Sequence, residues 1–265
     1  MKITVVKVGG AIVEDEEQLK QLLDDFSAIE GPKVLVHGGG RRATKVASQL
    51  GIESQMVGGR RITDAEMLNV VTMVYGGLVN KHLVAMLQAK GVNAVGLTGA
   101  DMNIIRSHIR PLKKMVVDGE EKMVDFGFVG DVDRVDGKAL ELLLKQGVVP
   151  VIAPLTHDGN GNILNTNADT MASETAKALA EGNNVSLIFS FEKKGVLENP
   201  DDDNSVIPLI TPALFEEYKQ KGIISGGMIP KIENALAAVE KGVEKVVITL
   251  ATAIDGNSGT VIKLL

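Results

Sequence analysis

The 265-residue sequence contains no cysteine and no tryptophan, and its other aromatic residues are few. Without cysteine, disulfide bonds, thiolate metal sites and cysteine nucleophiles are excluded. Six phenylalanines and two tyrosines are too few for aromatic stacking to be the main means of holding a ligand. Basic residues are not in excess, because 28 Lys and Arg stand against 34 Asp and Glu. The sequence therefore lacks the basic footprint of a general nucleic-acid binder.

The sequence also lacks a long hydrophobic run near its amino terminus. The apolar stretch 3–8 is too short to span a membrane, and no small-residue cleavage region follows it. We therefore expect a cytoplasmic protein that neither enters a membrane nor binds nucleic acid. With 45% hydrophobic residues, the chain can form one large domain or two small ones.

Short apolar runs alternate with longer helical patterns along the chain. The runs predicted as strands are residues 3–8, 33–37, 93–97, 148–152, 185–189 and 245–249. The patterns predicted as helices are residues 15–29, 41–50, 65–88, 138–145, 167–179 and 229–240. Because strands that are apolar on both faces alternate with helices, the sequence predicts an α/β fold with an open, mainly parallel sheet sandwiched between helices.

Two stretches interrupt this alternation. Residues 113–133 contain β-rich pieces around a turn at Asp118-Gly119, which predicts an inserted β-hairpin. The acidic stretch 198–204 is expected to be a solvated loop. We place a boundary near residues 181–184, so that a lobe of residues 1–182 precedes a smaller lobe of residues 183–265.

Two predicted strands end in glycine-rich turns, Gly9-Gly10 and Gly38-Gly39-Gly40. The P-loop and dinucleotide-binding signatures are both missing from the sequence. Glycines at the carboxyl end of a parallel strand let backbone N–H groups approach a ligand, and the amino terminus of the next helix favours an anion. The alternative is that these glycines only make tight strand-to-helix turns.

Four charged residues stand in unusual places. Lys7 interrupts an apolar strand, where a buried ammonium needs a partner, unless the strand lies at the sheet edge. Lys231 lies at a predicted helix start, where the dipole disfavours a cation, although it can also be a surface lysine. Asp169 can hold two cations or serve only as a helix cap. Arg61 can grip a carboxylate with both arms of its guanidinium or lie at the surface.

Five motifs, in order along nearly the whole chain, resemble those of the amino acid kinase family. They are Lys7-Val8-Gly9-Gly10, His37-Gly38-Gly39-Gly40, Gly59-Arg60-Arg61-Ile62-Thr63, Asn165-Thr166-Asn167-Ala168-Asp169 and Gly227-Met228-Ile229-Pro230-Lys231. The resemblance implies transfer of the γ-phosphoryl group of ATP to an acidic acceptor. Within the family, the similarity is greatest to members that phosphorylate the side-chain carboxylate of N-acetylglutamate in arginine biosynthesis.

The resemblance also implies roles for individual residues. Catalysis would rest on Lys7 and Lys231, which flank the transferring group, and on Asp169, which orients both. The substrate would be held by Gly39, Gly40, Arg61 and Asn165. The nucleotide would be held by Gly9, Gly10, Glu192, Lys194, Gly195, Ser225 and Gly226. Magnesium would arrive with ATP, bound mainly through phosphate oxygens, and the ionised carboxylate acceptor would need no general base.

The chain departs from the family pattern in one loop. Members usually carry a Thr/Ser-Asp-Val run shortly before Gly-Val-Leu, whereas this chain reads Ser190-Phe191-Glu192 and reaches Gly195 one residue later. The aspartate is absent, which leaves Glu192 or Lys194 as candidates for the nucleotide contact.

The resemblance further implies an assembly. The chain begins almost at its first strand, without the amino-terminal helix of arginine-inhibited hexameric members, so we expect a homodimer. An apolar stripe of Met67, Val70, Val71, Val74 and Leu78, beside Gly76-Gly77, is the expected dimer contact. The alternative is that this stripe packs on the sheet.

Three alternatives for the function stay open. A longer acyl group that ends in a carboxylate, as in N-succinylglutamate, would need an added cation, for which Arg106, His108 and Arg110 are candidates unless they are solvent-exposed. A sister kinase would act on glutamate, aspartate, carbamate or uridylate. A catalytically silent ligand sensor of the same fold is the third, although both lysines and Asp169 are present.

Overall fold

The computed structural model describes residues 1–117, 119–226 and 228–264. The strands are β1 Lys2–Val8, β2 Lys33–His37, β3 Met56–Val57, β4 Arg60–Arg61, β5 Ala94–Leu97, β6 Ile105–Ile109, β7 Lys113–Val117, β8 Glu120–Val124, β9 Gly130–Val135, β10 Val149–Ile152, β11 Leu155–His157, β12 Ile163–Asn165, β13 Asn184–Phe191, β14 Leu209–Ile210, β15 Lys245–Leu250 and β16 Thr260–Ile262. The α-helices are α1 Gly10–Glu14, α2 Glu16–Ala28, α3 Gly40–Gln49, α4 Ala65–Val71, α5 Asn80–Ala89, α6 Gly137–Lys145, α7 Ala168–Ala180, α8 Pro212–Gln220 and α9 Met228–Glu240.

Eight strands form one large sheet in the order β14-β16-β15-β13-β1-β2-β10-β5. The central strand β1 runs parallel to β13 on one side and to β2 on the other. Strand β16 runs antiparallel to β15, and the remaining pairs are parallel. The predicted mainly parallel α/β sheet is therefore confirmed, and its six predicted strands lie within one or two residues of the observed ones.

Helices cover both faces of this sheet. Side chains of β1 alternate between the two faces, since Val5 packs with the core that includes α7 and α9, whereas Val6 packs with the core that includes α2, α4 and α5. The strand period of two residues places Lys7 on the same face as Val5. The sequence of β1 alone therefore directs the Lys7 ammonium towards α7.

A continuous helical run extends from α4 through Thr72–Val79 to α5, and its middle segment is a π-helix. By length and composition, Ala65–Ala89 could cross a membrane, and 44% of its most apolar stretch is buried in the fold. Val70, Val74 and Leu83 are fully or almost fully buried against the sheet. The run is thus a core helix, whose apolar character reflects packing inside the protein.

The predicted β-hairpin is confirmed as the antiparallel pair β7 and β8, although Asp118 of its predicted turn lies outside the described residues. The acidic stretch 198–204 is exposed, as expected for a solvated loop. A second sheet, in the order β12-β11-β6-β9, was not predicted from the sequence. Its strands have three to six residues, which is too short for a clear periodicity.

Candidate active site

The carboxyl ends of β1 and β2 meet the amino-terminal turns of α7 and α9 around a cavity of about 310 Å³. A second cavity of about 330 Å³ adjoins it on the side of β13. Glycines of both turns that follow β1 and β2 line these cavities. Ligands of open parallel sheets bind at this edge, beyond the carboxyl ends of the strands.

Lys7 and Asp169 form an ion pair between a buried lysine and a carboxylate that lines the cavity. The Lys7 side chain is 9% exposed, and its Nζ lies 2.7 Å from Oδ1 of Asp169. The contact has the distance of an ion pair but not the alignment of a hydrogen bond, because Oδ1 has no hydrogen-bond donor. Since β1 is central, the edge-strand explanation of Lys7 is wrong.

Asp169 does not cap its own helix. The cap of α7 is Asn167, whose Oδ1 accepts hydrogen bonds from the backbone N–H groups of Asp169 at 2.8 Å and Thr170 at 3.1 Å. The carboxylate of Asp169 is thereby free to face Lys7. The interpretation of Asp169 as the helix cap is wrong, and its position suits an acid that orients lysines.

Lys231 enters the site from the first turn of α9. It lines the same cavity as Asp169, and its Nζ lies 4.1 Å from the centre of the Phe191 ring. Burial lowers the pKa of the Lys231 ammonium, the Asp169 carboxylate raises it, and the positive charge of Lys7 lowers it again. The residue is half-buried and is therefore more than a solvated surface lysine.

The two glycine-rich turns pack backbone against backbone. A Cβ on Gly10 would lie 3.3 Å from the amide nitrogen of Gly39, and a Cβ on Gly38 would lie 3.0 Å from that of Gly10. Side chains at these positions would force the turns apart. Gly39 and Gly40 line the 310 Å³ cavity, whereas Gly9 and Gly10 line the adjoining one. The same glycines thus let the two turns pack closely and leave their backbone open to the cavities.

Arg61 and Asn165 are each held by hydrogen bonds beside the 310 Å³ cavity. Arg61 donates hydrogen bonds to Ser54 Oγ at 2.6 Å, the Gly40 carbonyl at 2.9 Å and Thr44 Oγ1 at 2.8 Å. Asn165, at the end of β12, donates from Nδ2 to Thr63 Oγ1 at 2.9 Å. Both residues line the cavity, so the surface interpretation of Arg61 is wrong.

His37 and Asn80 form a buried pair behind the glycine-rich turn that sequence reasoning missed. The Gly38 carbonyl lies 2.7 Å from Nδ1 of His37 and can only accept, so Nδ1 carries the proton. Nε2 then accepts from Nδ2 of Asn80 at 3.1 Å, and Asn80 also donates to the Val151 carbonyl. Burial lowers the pKa of His37 to about 4, which keeps its imidazole neutral. The sequence signal that could have revealed this pair is Asn80, a single asparagine within an apolar helical pattern.

Tyr75 supports the same turn from the π-helical segment. A Cβ on Gly39 would lie only 2.9 Å from Cδ1 of the Tyr75 ring, so only glycine lets the turn rest on this ring. Burial raises the pKa of the Tyr75 phenol, while Arg61 nearby lowers it. π-Helical segments are frequent at functional sites. Here the segment ends at the asparagine that bonds His37.

Residues expected to hold the nucleotide are more exposed. Glu192 lines the adjoining cavity, and its Oε1 lies 3.2 Å from Nη2 of Arg41. Lys194, Ser225 and Gly226 are exposed and line neither of the two cavities, nor does the buried Gly195. The motif residue Gly227 lies outside the described residues. The structure thus brings Glu192 to Gly9 and Gly10 but does not bring the other four to these cavities.

Of the three basic residues expected near a longer acyl group, only Arg110 lines the 310 Å³ cavity. Its guanidinium donates to Asp131 with Nε at 3.0 Å and Nη2 at 2.6 Å. His108 instead pairs with Asp133 at the surface, and the Arg106 guanidinium lies against Gly159. The expectation is therefore wrong for His108 and Arg106, which contact Asp133 of β9 and the turn between β11 and β12 instead of the cavity.

The expected dimer stripe is also corrected. Four of its residues are buried in the core of the chain itself, and only Leu78 is exposed. The four are Met67, Val70, Val71 and Val74. Packing on the sheet therefore explains them, because the helical period turns them inward. Met73 joins Leu78 on the exposed side of the same helical run.

A mainly parallel sheet with a buried lysine on its central strand, facing an acid, a second lysine and glycine-rich turns, suits a phosphotransferase. Residues 2–250 match the amino acid kinase family, and the chain belongs to this family. It is a kinase, and kinases of this family use ATP.

Individual relatives support this assignment. The chain is 66% identical over 262 residues to the acetylglutamate kinase of Phocaeicola vulgatus, which covers 99% of the chain and 98% of that protein. It is 62% identical over 259 residues to the acetylglutamate kinase of Parabacteroides distasonis, with 98% of each covered. The crystal structure of smu.665 from Streptococcus mutans superimposes with a TM-score of 0.73 at 29% identity, covering 98% of each chain.

Proposed function

We propose that this kinase phosphorylates the side-chain carboxylate of N-acetyl-L-glutamate in arginine biosynthesis, in the cytoplasm. The observation that carries the proposal is that Arg61 and Asn165 line the same cavity as Asp169 and Lys231. A group suited to binding a carboxylate and a group suited to neutralising charge therefore face one cavity. The acetylglutamate kinases named above, identical at 62% and more over nearly their whole length, supply the identity of the substrate.

The reaction is the attack of a carboxylate oxygen on the γ-phosphorus of ATP. A new O–P bond forms, the bond to the β–γ bridging oxygen breaks, and ADP leaves with that electron pair. A glutamate side chain is ionised at pH 7, so no base has to remove a proton. Catalysis then depends on positioning and on neutralising the charge of the transferring group. Lys7 and Lys231 supply positive charge, and Asp169 fixes Lys7 at 2.7 Å.

The substrate wall would bind the α-carboxylate and the acyl amide. Arg61 already donates to three oxygen acceptors, and its Nη1 also lies 3.7 Å from Sδ of Met67. Substrate binding would exchange this weak sulfur contact for a carboxylate oxygen, because a charged acceptor is the stronger one. Asn165 and the N–H groups of Gly39 and Gly40 would hold the remaining oxygens.

The nucleotide would lie on the other wall. The N–H groups of Gly9 and Gly10 would face its phosphates, with Glu192, Lys194, Gly195, Ser225 and Gly226 along the loops of residues 183–265. Among the described residues, no three His, Asp or Glu side chains form a metal-binding group. Magnesium would arrive with ATP and be held mainly by phosphate oxygens and water. In this arrangement residues 1–182 form the substrate lobe and residues 183–265 the nucleotide lobe, although one sheet passes through both.

The test is an ADP-release assay with ATP, magnesium and a panel of acceptors. N-acetylglutamate is compared with glutamate, aspartate, carbamate and uridylate, and hydroxylamine is added to trap an acyl phosphate as its hydroxamate. We expect turnover and hydroxamate with N-acetylglutamate. Preference for a sister acceptor would reassign the substrate, and silence with the whole panel would favour a ligand sensor.

N-succinylglutamate is a second candidate substrate because Arg60 and Arg110 both line the cavity. Arg110 keeps Asp131 as a partner, so one net positive charge remains between these three residues for an added carboxylate. The measurement is kcat/KM for the acetyl and succinyl compounds. A preference for acetyl of about tenfold or more would reject this candidate, since a pocket that leaves a carboxylate unpaired discriminates strongly. The opposite preference would make Arg110→Met the first variant to examine.

The proposed assembly is a homodimer that buries Met73 and Leu78. Both side chains are about half exposed on one side of the central helical run, beside Gly77. Light scattering at micromolar protein should give the mass of two chains, and Leu78→Glu should give that of one. A hexamer, or a monomer of the unaltered chain, would contradict this assembly.

A further inference from the structure

We propose that the aromatic ring of Phe191 is a positioning element that holds the two catalytic lysines at the transferring phosphoryl group. This inference rests on the proposed function of the lysines. Nζ of Lys231 lies 4.1 Å from the ring centre, and Nζ of Lys7 lies 5.4 Å from it. Both distances are within the range in which a cation is attracted to an aromatic face.

The strand register explains why this ring is available to both lysines. Lys7 of β1 lies beside Phe189 of the parallel strand β13. Phe191 follows Phe189 by one strand period, so the two rings share a face of the sheet, with centroids 6.2 Å apart and planes inclined by 24°. Phe189 is buried and supports the Phe191 ring from the core side. The ring is therefore fixed by packing at the end of its strand.

Charge balance explains what the ring adds. Asp169 pairs with Lys7 at 2.7 Å and also favours the charged form of Lys231, whereas Lys7 disfavours it. A second carboxylate would hold the lysines but cancel the charge that they offer to the phosphoryl group. The ring face attracts both cations without carrying a negative charge of its own. It thus preserves the one net positive charge of Lys7, Lys231 and Asp169 together.

The ring also shields one side of the lysines. Phe191 lines a small hollow with Asp169, Lys231, Asn234 and Ile248, and it also lines the cavity of Gly9 and Gly10. It therefore covers Lys231 on one side and leaves it open to the 310 Å³ cavity, where the transferring group would lie. Charge stabilisation is stronger in a site from which water is excluded.

The test varies the electron density of the ring at constant shape. Pentafluorophenylalanine at position 191 keeps the ring but reverses the charge of its face, and Phe191→Leu removes the ring while keeping an apolar side chain. We expect either change to lower kcat by roughly three- to thirtyfold, as expected for loss of a cation–π contact. Phe191→Tyr keeps an electron-rich face and should retain nearly full kcat. The KM values for ATP and acceptor should change by less than about twofold, which a general loss of structure would not produce.

The dependence of kcat on pH provides a second test of the role of Phe191. With the ring lost, the charged form of Lys231 is less stabilised, so the high-pH limb of kcat should move to lower pH. The charged groups that act on Lys231 are Asp169 from α7 and Lys7 from β1, and both stay in place in these variants. A matched control is pentafluorophenylalanine at position 215, where the ring lies 5.4 Å from Nζ of Lys219 on the same helix. That variant should leave kcat and its pH profile unchanged.

A titration without substrate separates this inference from the proposed function. NMR with ¹³C-labelled lysine follows Lys231 in the unaltered chain and in Phe191→Leu, with Lys231→Met to assign the signal. A lower pKa of Lys231 in Phe191→Leu supports the inference even if the chain phosphorylates none of the acceptors tested. An unchanged pKa together with unchanged kcat in the pentafluoro variant would overturn it, whatever the substrate proves to be.

Discussion

The two walls of the site are built differently. On the proposed substrate wall, Arg61 is bound by three oxygen acceptors, and His37 and Asn80 form a buried pair behind the glycine-rich turn. On the proposed nucleotide wall, Glu192 and Arg41 form an ion pair in which both side chains are more than half exposed. Hydrogen bonds hold the side chains of the first wall in place, whereas the side chains of the second wall still reach solvent.

This difference indicates where discrimination is built. A rigid, desolvated wall rejects an acceptor that cannot reproduce its hydrogen bonds, because unpaired buried groups are costly. An exposed wall is ordered only when its ligand arrives and discriminates less. Substrate selection should therefore be more sensitive to substitution than nucleotide binding. The floor between the walls, Lys7 with Asp169, should be the most sensitive of all.

The largest effect is expected for the lysines that both walls share. Lys7→Met and Lys231→Met should each lower kcat by on the order of 10²-fold or more, because they remove charge from the transition state. Lys33→Met is the matched control, since Lys33 is also a buried lysine but donates to the Ser27 and Ile29 carbonyls at the other end of its strand. It should alter stability and leave kcat unchanged. Near-normal turnover of Lys7→Met or Lys231→Met would remove that lysine from the mechanism.

The next effect concerns the substrate wall. In Arg61→Lys a single ammonium cannot reach the Gly40 carbonyl, Ser54 and the substrate together. The KM for the acceptor should rise by roughly ten- to a hundredfold, because the variant loses a hydrogen bond to a charged group. The KM for ATP should change by less than about twofold. Arg42→Lys, at an exposed position of α3, should change neither. A rise in the KM for ATP of the same size would mean that the two walls are not separate.

The buried histidine gives a pH-dependent effect on stability. The pKa of His37 is lowered by burial, and further by the charge of Lys81, to about 4, against 6.5 in an unfolded chain. Between these values the unfolded state binds more protons, so stability falls as the pH is lowered from 6.5 towards 4. The contribution lost by pH 4.5 is roughly 2–3 kcal/mol.

Urea unfolding at pH 7 and pH 4.5 measures this contribution. His37→Gln should show a smaller decrease in the free energy of unfolding between the two pH values than the unaltered chain. His82→Gln, at an exposed position of α5, should behave like the unaltered chain. Equal decreases in His37→Gln and the unaltered chain would show that this imidazole is accessible to protons in the folded state.

The smallest effect is expected on the nucleotide wall. Glu192→Gln breaks the exposed pair with Arg41, and exposed ion pairs contribute about 0–1 kcal/mol. The KM for ATP should therefore change by no more than about fivefold, with the KM for the acceptor unchanged. Arg41→Gln should have a similar effect. A larger change in the KM for ATP in either variant would mean that this wall is preorganised as well. The difference between the two walls would then not hold.

The sequence predicts those parts of the site whose residues stand out from their immediate neighbours in the chain. Lys7 stands out because it interrupts an apolar strand, and the period of two residues assigns it to the face of α7. The glycines stand out because they follow strand ends, and Arg61 stands out because it follows a glycine pair. Each of these signals is local, which is why the motif residues of the substrate lobe could be found before any contact was known.

The parts that could not be predicted depend on distant or irregular contacts. His37 and Asn80 are 43 positions apart, and the π-helical segment between α4 and α5 changes the facing of Asn80 relative to an ideal helix. The prediction of the dimer stripe was wrong because helical periodicity identifies an apolar face but does not indicate whether the sheet or a second chain covers it. Phe191 lies two residues beyond the predicted end of its strand, and only the paired register of β1 and β13 shows that it reaches the lysines.

The pairing of β1 with β13 has a consequence for how the chain reaches its fold during synthesis. Lys2 lies beside Asn184, so the central strand is made about 180 residues before its neighbour on one side. At the usual rate of protein synthesis, roughly 10–40 s pass before β13 emerges. During this time one edge of β1 has only solvent or a chaperone as its partner, and contacts that close such long loops form slowly. The strand that carries Lys7 is thus among the first made and among the last to be enclosed.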